Sequence, residues 1–181
     1  MNIKPISNIS KCIALFLITL SCSEGDIINM SIDFEGQLQN CSNTNDNTFV
    51  FYKIDSENNR SLSVGFTSNS FDIAPQNIAN ISTTEPIEIN LNTSTNQLFY
   101  REFNTEFNGD EYYCTSVPPS IINVSQELVS STGVIEISYQ NTDNTNTFIR
   151  TVTLKNVTFV GDEIAIRKEV LVLGSDEVVI N

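Results

Sequence analysis

The chain has 181 residues, with 9 Lys+Arg against 22 Asp+Glu, a formal net charge of −13, 40% hydrophobic residues, 7 Gly and neither His nor Trp. That length suits one modest domain, and the absence of histidine excludes a Ser-His-Asp triad, a Cys-His pair and His-ligated zinc or haem. Asn, Ser and Thr number 23, 20 and 17, so polarity rests on turn-forming and strand-tolerant side chains. Alanine and lysine, which fill the solvent faces of long helices, are scarce, and an all-α fold is disfavoured.

At the N-terminus, Lys4 and Lys11 flank a polar start and Cys12 to Leu20 is an apolar run of 9 residues. A helical span of a bilayer takes about 20 residues, so the segment reads as the charged start and apolar core of a secretory signal peptide. It ends in Leu20-Ser21-Cys22-Ser23. Here the chain resembles bacterial lipoproteins, whose signal peptides stop just before a cysteine that becomes lipid-modified. Ser21 is the small residue such a motif wants before the cysteine. Thr19 and Leu20 stand where the usual pattern has Leu and a small residue, a looseness that members of the Bacteroidota tolerate. The resemblance implies lipidation of Cys22 with acyl chains such as palmitate. It also implies a membrane partner reached through that anchor, because each buried methylene contributes about 0.8 kcal/mol and two or more chains hold a protein stably on a bilayer. The expected organisation is a signal peptide over 1–21, the lipidated cysteine and a flexible tether over 22–30, and a single domain over 31–181. Ser23-Glu24-Gly25-Asp26 resembles the acidic stretch that carries some Bacteroidota lipoproteins to the outer face of the outer membrane; a generic tether to the periplasmic face fits it equally.

Cleavage before Cys22 removes Lys4 and Lys11 and leaves 7 basic against 22 acidic side chains, a formal net charge of −15. Nucleic acid and anionic lipid headgroups both need clustered Lys/Arg, so neither is a plausible partner. Arg167-Lys168, the only adjacent basic pair, reads as a solvated strand edge. The mature domain keeps Cys41 and Cys114, and two thiols in an oxidising envelope suggest one disulfide closing a loop of 74 residues. Two separate buried thiols are the alternative. Neither cysteine is a convincing nucleophile without a histidine to activate it.

Alternation of apolar and polar residues recurs along the remainder. It runs through Ile32, Phe34 and Leu38; Leu62, Val64 and Phe66; Ile87, Ile89 and Leu91; Ile135, Ile137 and Tyr139; and Val152 and Leu154. Thr48 to Ile54 and Gln97 to Phe103 are richer in aromatics and also favour strand, and Ile164 to Leu173, apolar on both faces, reads as a central or well-covered strand. Turn-formers separate these runs at Asn43–Asn47, Asp55–Asn59, Asn92–Asn96, Asn141–Asn146 and Gly161-Asp162. Asn108-Gly109 fits a type I′ hairpin joining Leu98–Phe107 to Asp110–Thr115, and a short helical turn is expected around Gln126–Leu128. About eight or nine antiparallel strands without βα units imply an all-β fold, a two-sheet β-sandwich or, less favoured, a barrel.

The C-terminal part resembles a loose group of uncharacterised Bacteroidota (flavobacterial) envelope lipoproteins. The likeness rests on Cys114-Thr115-Ser116-Val117-Pro118-Pro119, Ser131-Thr132-Gly133-Val134-Ile135-Glu136-Ile137 and Thr151-Val152-Thr153-Leu154-Lys155-Asn156-Val157-Thr158-Phe159. It implies a β-rich envelope protein and brings no activity with it.

Motifs for chemistry are sparse. Oxygen-rich loops at Asn43–Asn47 and Asn141–Asn146 invite calcium, but Thr48 and Ile54 stand where the helix-loop-helix motif needs Gly and Glu; Asp110-Glu111 and Asp162-Glu163 are vaguer still. No G-x-S-x-G elbow, P-loop or dinucleotide-type glycine pattern occurs. No catalytic, cofactor-binding or metal-ligating residue is therefore assigned. Tyr52, Tyr100, Tyr112, Tyr113 and Tyr139 could offer aromatic faces to a glycan, and in the adjacent pair Tyr112-Tyr113 strand geometry would make only one ring core. The expected function is a non-enzymatic binding or interaction module with a glycan or protein partner. A carboxylate-based glycoside-type hydrolase and a structural subunit of an outer-membrane assembly are the alternatives.

Overall fold

The computed structural model describes residues 32–43, 48–67, 81–161 and 164–180. The expected signal peptide over 1–21 and the expected lipidated Cys22 and tether over 22–30 lie outside the described residues, as do 44–47 of the Asn-rich turn and Asp162-Glu163. The described residues belong to one compact unit, Ser31–Asn181. They form nine strands: β1 (Gln39–Asn43), β2 (Thr48–Asp55), β3 (Arg60–Thr67), β4 (Ile87–Asn90), β5 (Asn96–Phe103), β6 (Val124–Ser130), β7 (Val134–Asn141), β8 (Thr147–Gly161) and β9 (Ile164–Val179). One short helix, α1 (Gly109–Tyr113), follows β5.

Every pairing is antiparallel, so the chain is all-β, as its composition and alternation imply. The strand order is β1-β2-β3-β5-β6-β8-β7-β4, with β9 also paired to β8. Hydrogen bonding does not divide the strands into two separate sheets, because Val129↔Val160 joins β6 to β8. Strands far apart along this path nonetheless meet. Asn40 Nδ2 donates to Asp176 Oδ2 at 2.8 Å, Lys53 Nζ donates to the Val172 carbonyl at 3.1 Å, and the Arg150 guanidinium lies 4.5 Å from the centre of the Phe51 ring. β1 and β2 are thus folded back against β8 and β9.

The core lies on the inner faces of these strands. Leu62, Val64, Leu98, Tyr100 and Leu128 are fully buried from the first half, and Ile135, Ile137, Val152, Leu154 and Phe159 from the second. Each contributes about 1.5–3 kcal/mol relative to an exposed side chain. Asp55–Asn59 and Asn141–Asn146 make hairpins where the turn-formers placed them: Asp55 Oδ2 accepts from both Asn58 Nδ2 and Arg60 Nε, at 2.8 and 2.7 Å, and Asn144 Oδ1 accepts from the Asn146 amide at 3.1 Å.

Four expectations need correction. Ile32, Phe34 and Leu38 are buried, but the segment is extended without strand pairing. It packs against both β2 and β9: Lys53 and Arg60 lie over the Phe34 ring at 5.0 and 5.1 Å, and a Cβ on Gly174 would come within 2.9 Å of the Leu38 Cβ. Gly174 has φ +151°, beside the register shift where Val152↔Gly174 gives way to Thr153↔Val172; only glycine takes that conformation without strain. Ile164–Leu173 is not a central strand. Among the described residues β9 pairs β8 alone, and Val170 and Val172 on its outer face are 62% and 50% exposed. Gln126–Leu128 is strand, paired residue for residue with Tyr100–Glu102 of β5, because that pairing outweighs the weak local helical preference of Gln-Glu-Leu. Of the three lipoprotein-like segments, Thr151–Phe159 falls in β8 and Ser131–Ile137 leads into β7, but Cys114–Pro119 is loop.

Burial of charge accompanies the contact between β2 and β9. Lys53 is buried; burial lowers its pKa, opposed by the negative charges of Asp33 and Glu35. No helix among the described residues is long and apolar enough to cross a membrane.

Candidate functional site

The face of β2, β3 and β5 turned away from the core carries the candidate site. Direct cross-strand partners share a face, so the register sets its rows: Cys41, Val50, Gly65 and Gln97 form one, Tyr52, Ser63 and Phe99 the next, and Ile54, Ser61 and Arg101 a third. In an open antiparallel sheet such a face would be solvated. Tyr52, Ser61 and Ser63 are instead buried, because α1 lies over them.

Asn108-Gly109 explains how the helix gets there, and corrects the expected hairpin. Asn108 has φ −90° and ψ 125° and caps α1; its Oδ1 accepts from the amides of Asp110 and Glu111 at 2.9 and 3.2 Å. Gly109 is required by close approach rather than by a turn: a Cβ there would stand 2.4 Å from Ile54 Cδ1 and 2.7 Å from Tyr52 Cε2. The Tyr52 hydroxyl donates to Asp110 Oδ1 at 2.5 Å, and burial, with Asp110 second, raises the Tyr52 pKa and keeps that donor protonated. Asn108→Ala is expected to cost about 1 kcal/mol by freeing the helix N-terminus, read as a melting temperature roughly 2–4 °C lower.

Helical geometry overturns the strand-based expectation for Tyr112-Tyr113, since consecutive helical residues are about 100° apart rather than on opposite faces. Both rings border the site. Tyr113 stacks on Tyr52 at 4.7 Å between centroids and its hydroxyl shares a 2.6 Å hydrogen bond with Ser61 Oγ. Tyr112 meets Phe103 edge-on at 5.0 Å, and burial raises its pKa. The Tyr52 hydroxyl lies beside the disulfide, 3.8 Å from Cys114 Sγ. Tyr100 and Tyr139 are buried in the core and offer no face to a ligand.

Cys41 and Cys114 are bonded, with their Cα atoms 5.6 Å apart, as two cysteines in an oxidising compartment implied. The bond fastens the C-cap of α1 to β1. Beside it lies a groove of about 360 Å³ lined by residues of all four strands β1, β2, β3 and β5, by Tyr112 and Tyr113, and by Pro118. Gly65 forms the middle of its floor, and a Cβ there would meet no atom within 4 Å. At one end the Arg101 guanidinium lies 4.3 Å from the centre of the Phe99 ring and pairs with Glu127 at 2.6 Å. Burial acts to lower the Arg101 pKa but is outweighed by Tyr113 and Glu127, so its net shift is upward. Thr48, Thr67, Ser94 and Thr95 supply hydroxyls at the other end.

Among the described residues, those lining the groove include no carboxylate, and no group of three or more Cys, Asp or Glu is placed to hold a metal ion. Asp110-Glu111 belongs to α1, where Asp110 accepts from the Tyr52 hydroxyl beside the disulfide, and Asn141–Asn146 lies at the β7–β8 turn; neither segment is among the described residues that line the groove. Gly65, Gln97, Phe99 and Arg101 were not singled out from the sequence. The available signal was Gly65 itself, a glycine at an outward position inside the Leu62, Val64, Phe66 alternation, where glycine weakens a strand and marks close approach of something to the backbone. Comparison with protein-family models, curated proteins and solved structures gives no match, so what the groove can do follows from its own residues.

Proposed function

We propose that the chain is a lipid-anchored protein of the bacterial envelope, attached to the outer membrane through Cys22, whose domain is a non-enzymatic binding module with its ligand in the groove above Gly65. The observation that carries the binding reading is the open floor at Gly65 between aromatic and hydroxyl-bearing walls. A site that must not deform needs rigid support, and the Cys41–Cys114 bond, the Asn108 cap and the Tyr52–Asp110 bond supply it. The envelope reading is supported by Ser21-Cys22 after a short apolar run and by the disulfide, which suits an oxidising compartment. Acid-base hydrolysis draws no support from the described lining of the groove, which holds no carboxylate.

A second reading, a structural subunit of an outer-membrane assembly, is favoured by one observation: the outer strand β9 exposes Val170, Val172 and Val179, the kind of surface that pairs with a partner strand. Co-purification of a stoichiometric partner from membranes would favour it.

Two measurements test the proposal. Cys22→Ala is expected to abolish incorporation of labelled palmitate and to move the protein from the membrane to the soluble fraction; unchanged labelling would overturn the anchor. A thermal-shift screen of the oxidised protein against glycans and peptides is expected to yield at least one ligand that raises the melting temperature, since a ligand of the native state stabilises it by mass action. A flat screen would overturn the binding reading.

A further inference from the structure

We infer that the ligand of this groove is a linear, uncharged oligosaccharide lying along β5, above Gly65. The inference rests on the groove being the ligand site and names the class of ligand. Shape is the first argument. β5 contributes Gln97, Phe99 and Arg101 to the lining, an advance of four residues, about 14 Å at roughly 3.4 Å per residue, so the site is a trough for a short chain rather than a cup for a compact molecule.

Exclusion of an added peptide strand is the second. β3 pairs on both sides, with β2 and with β5, so the floor has its main-chain ladder groups already engaged. A peptide strand recognises a sheet through a free edge, which this floor does not offer. Recognition falls to side chains: the hydroxyls of Thr48, Thr67 and Thr95, the amide of Gln97 and the ring of Phe99. A pyranose chain presents the matching surface, with C–H faces for the rings and a rim of hydroxyls for the amide and hydroxyl groups.

Charge is the third. Arg101 is the only charged residue in the described lining, and Glu127 pairs with it. The formal net charge of the chain is −13, which repels polyanions, while no carboxylate among the described lining residues attracts a polycation. An uncharged ligand is what remains.

Gly65 supplies the fourth argument. Neither packing nor conformation demands glycine there, since a Cβ would stand in open space and no positive φ is needed. A glycine inside a strand costs stability relative to a β-branched residue. Close approach of a ring to the floor gives that glycine a use.

The test is calorimetric titration of the full-length, oxidised, detergent-solubilised protein. The probes are uncharged hexasaccharides of glucose, xylose and mannose, a galacturonic acid hexamer, and an uncharged hexapeptide. At least one uncharged hexasaccharide is expected to bind. Gly65→Val is expected to weaken that binding at least tenfold while leaving the melting temperature unchanged or higher, and Phe99→Ala to weaken it independently should Gly65→Val fail to fold. Binding of the anionic hexamer or the peptide alone, abolished by Gly65→Val, would overturn the ligand class and leave the groove as a binding site. Absence of any binding, or binding that both variants leave intact, would overturn the groove as well.

Discussion

Arg150→Ala is expected to destabilise the domain by about 3–5 kcal/mol, the range for removing one partner of a buried ion pair. Arg150 is 2% exposed and sits directly across from Asp176 in the β8–β9 ladder. Its Nε and Nη2 donate to the two carboxylate oxygens at 2.9 and 2.5 Å, a bidentate geometry that lysine cannot reproduce. The guanidinium also covers the Phe51 ring. Alanine would therefore leave a cavity over Phe51 and a mostly buried carboxylate held only by Asn40. Thermal unfolding should show a midpoint lower by roughly 10 °C, taking about 2–4 °C per kcal/mol for a domain of this size. The paired replacement Arg150→Met with Asp176→Asn should recover most of that loss, because the larger part of the penalty is the orphaned charge rather than the lost attraction. A fall of under about 1 kcal/mol in the single variant would mean that water screens the pair as it does at a surface.

Removing the disulfide comes next in size. Cys41→Ser with Cys114→Ser is expected to cost about 4 kcal/mol on the chain-entropy estimate for so long a loop, again roughly 10 °C in melting temperature. The double variant avoids the unpaired thiol that either single change would leave. Consequences should not be confined to stability, since Cys114 ends the helix that carries Tyr112 and Tyr113. Urea unfolding with and without reductant measures the effect on the native sequence. An unchanged midpoint, with both thiols shown to be alkylated, would contradict it.

Much of the fold was legible because burial follows alternation: Leu62, Val64 and Phe66, then Ile135, Ile137 and Tyr139, then Val152 and Leu154 are all buried as their spacing implied. Asn-rich punctuation placed the hairpins at Asp55–Asn59 and Asn141–Asn146 for the same local reason. Asn108-Gly109 misled because the dipeptide serves two geometries, a type I′ turn or a helix cap followed by a residue without a side chain. What decides between them is Tyr52 and Ile54 beneath Gly109, more than fifty positions away. β9 misled because apolar residues on both faces need not mean cover on both faces; among the described residues it pairs with β8 alone, and its outward valines stay exposed.

Legibility of the groove was lower. The two cysteines and the two tyrosines were visible, but Val50, Gly65 and Gln97 come together only through the registers of β2, β3 and β5, which a single sequence does not reveal. Burial of Ser61 and Ser63 was hidden for the same reason, since their place on the polar side of an alternating strand says nothing of a helix that covers it.

Amide chemical-shift mapping of the isotope-labelled protein, titrated with whichever ligand raises its melting temperature, tests the groove most directly. The largest shifts are expected at Val50, Gly65, Gln97, Phe99 and Tyr112, along the trough and its aromatic wall. Shifts confined to the β7–β8 turn or to β9, with those five amides unmoved, would contradict the assignment of this groove as the binding site.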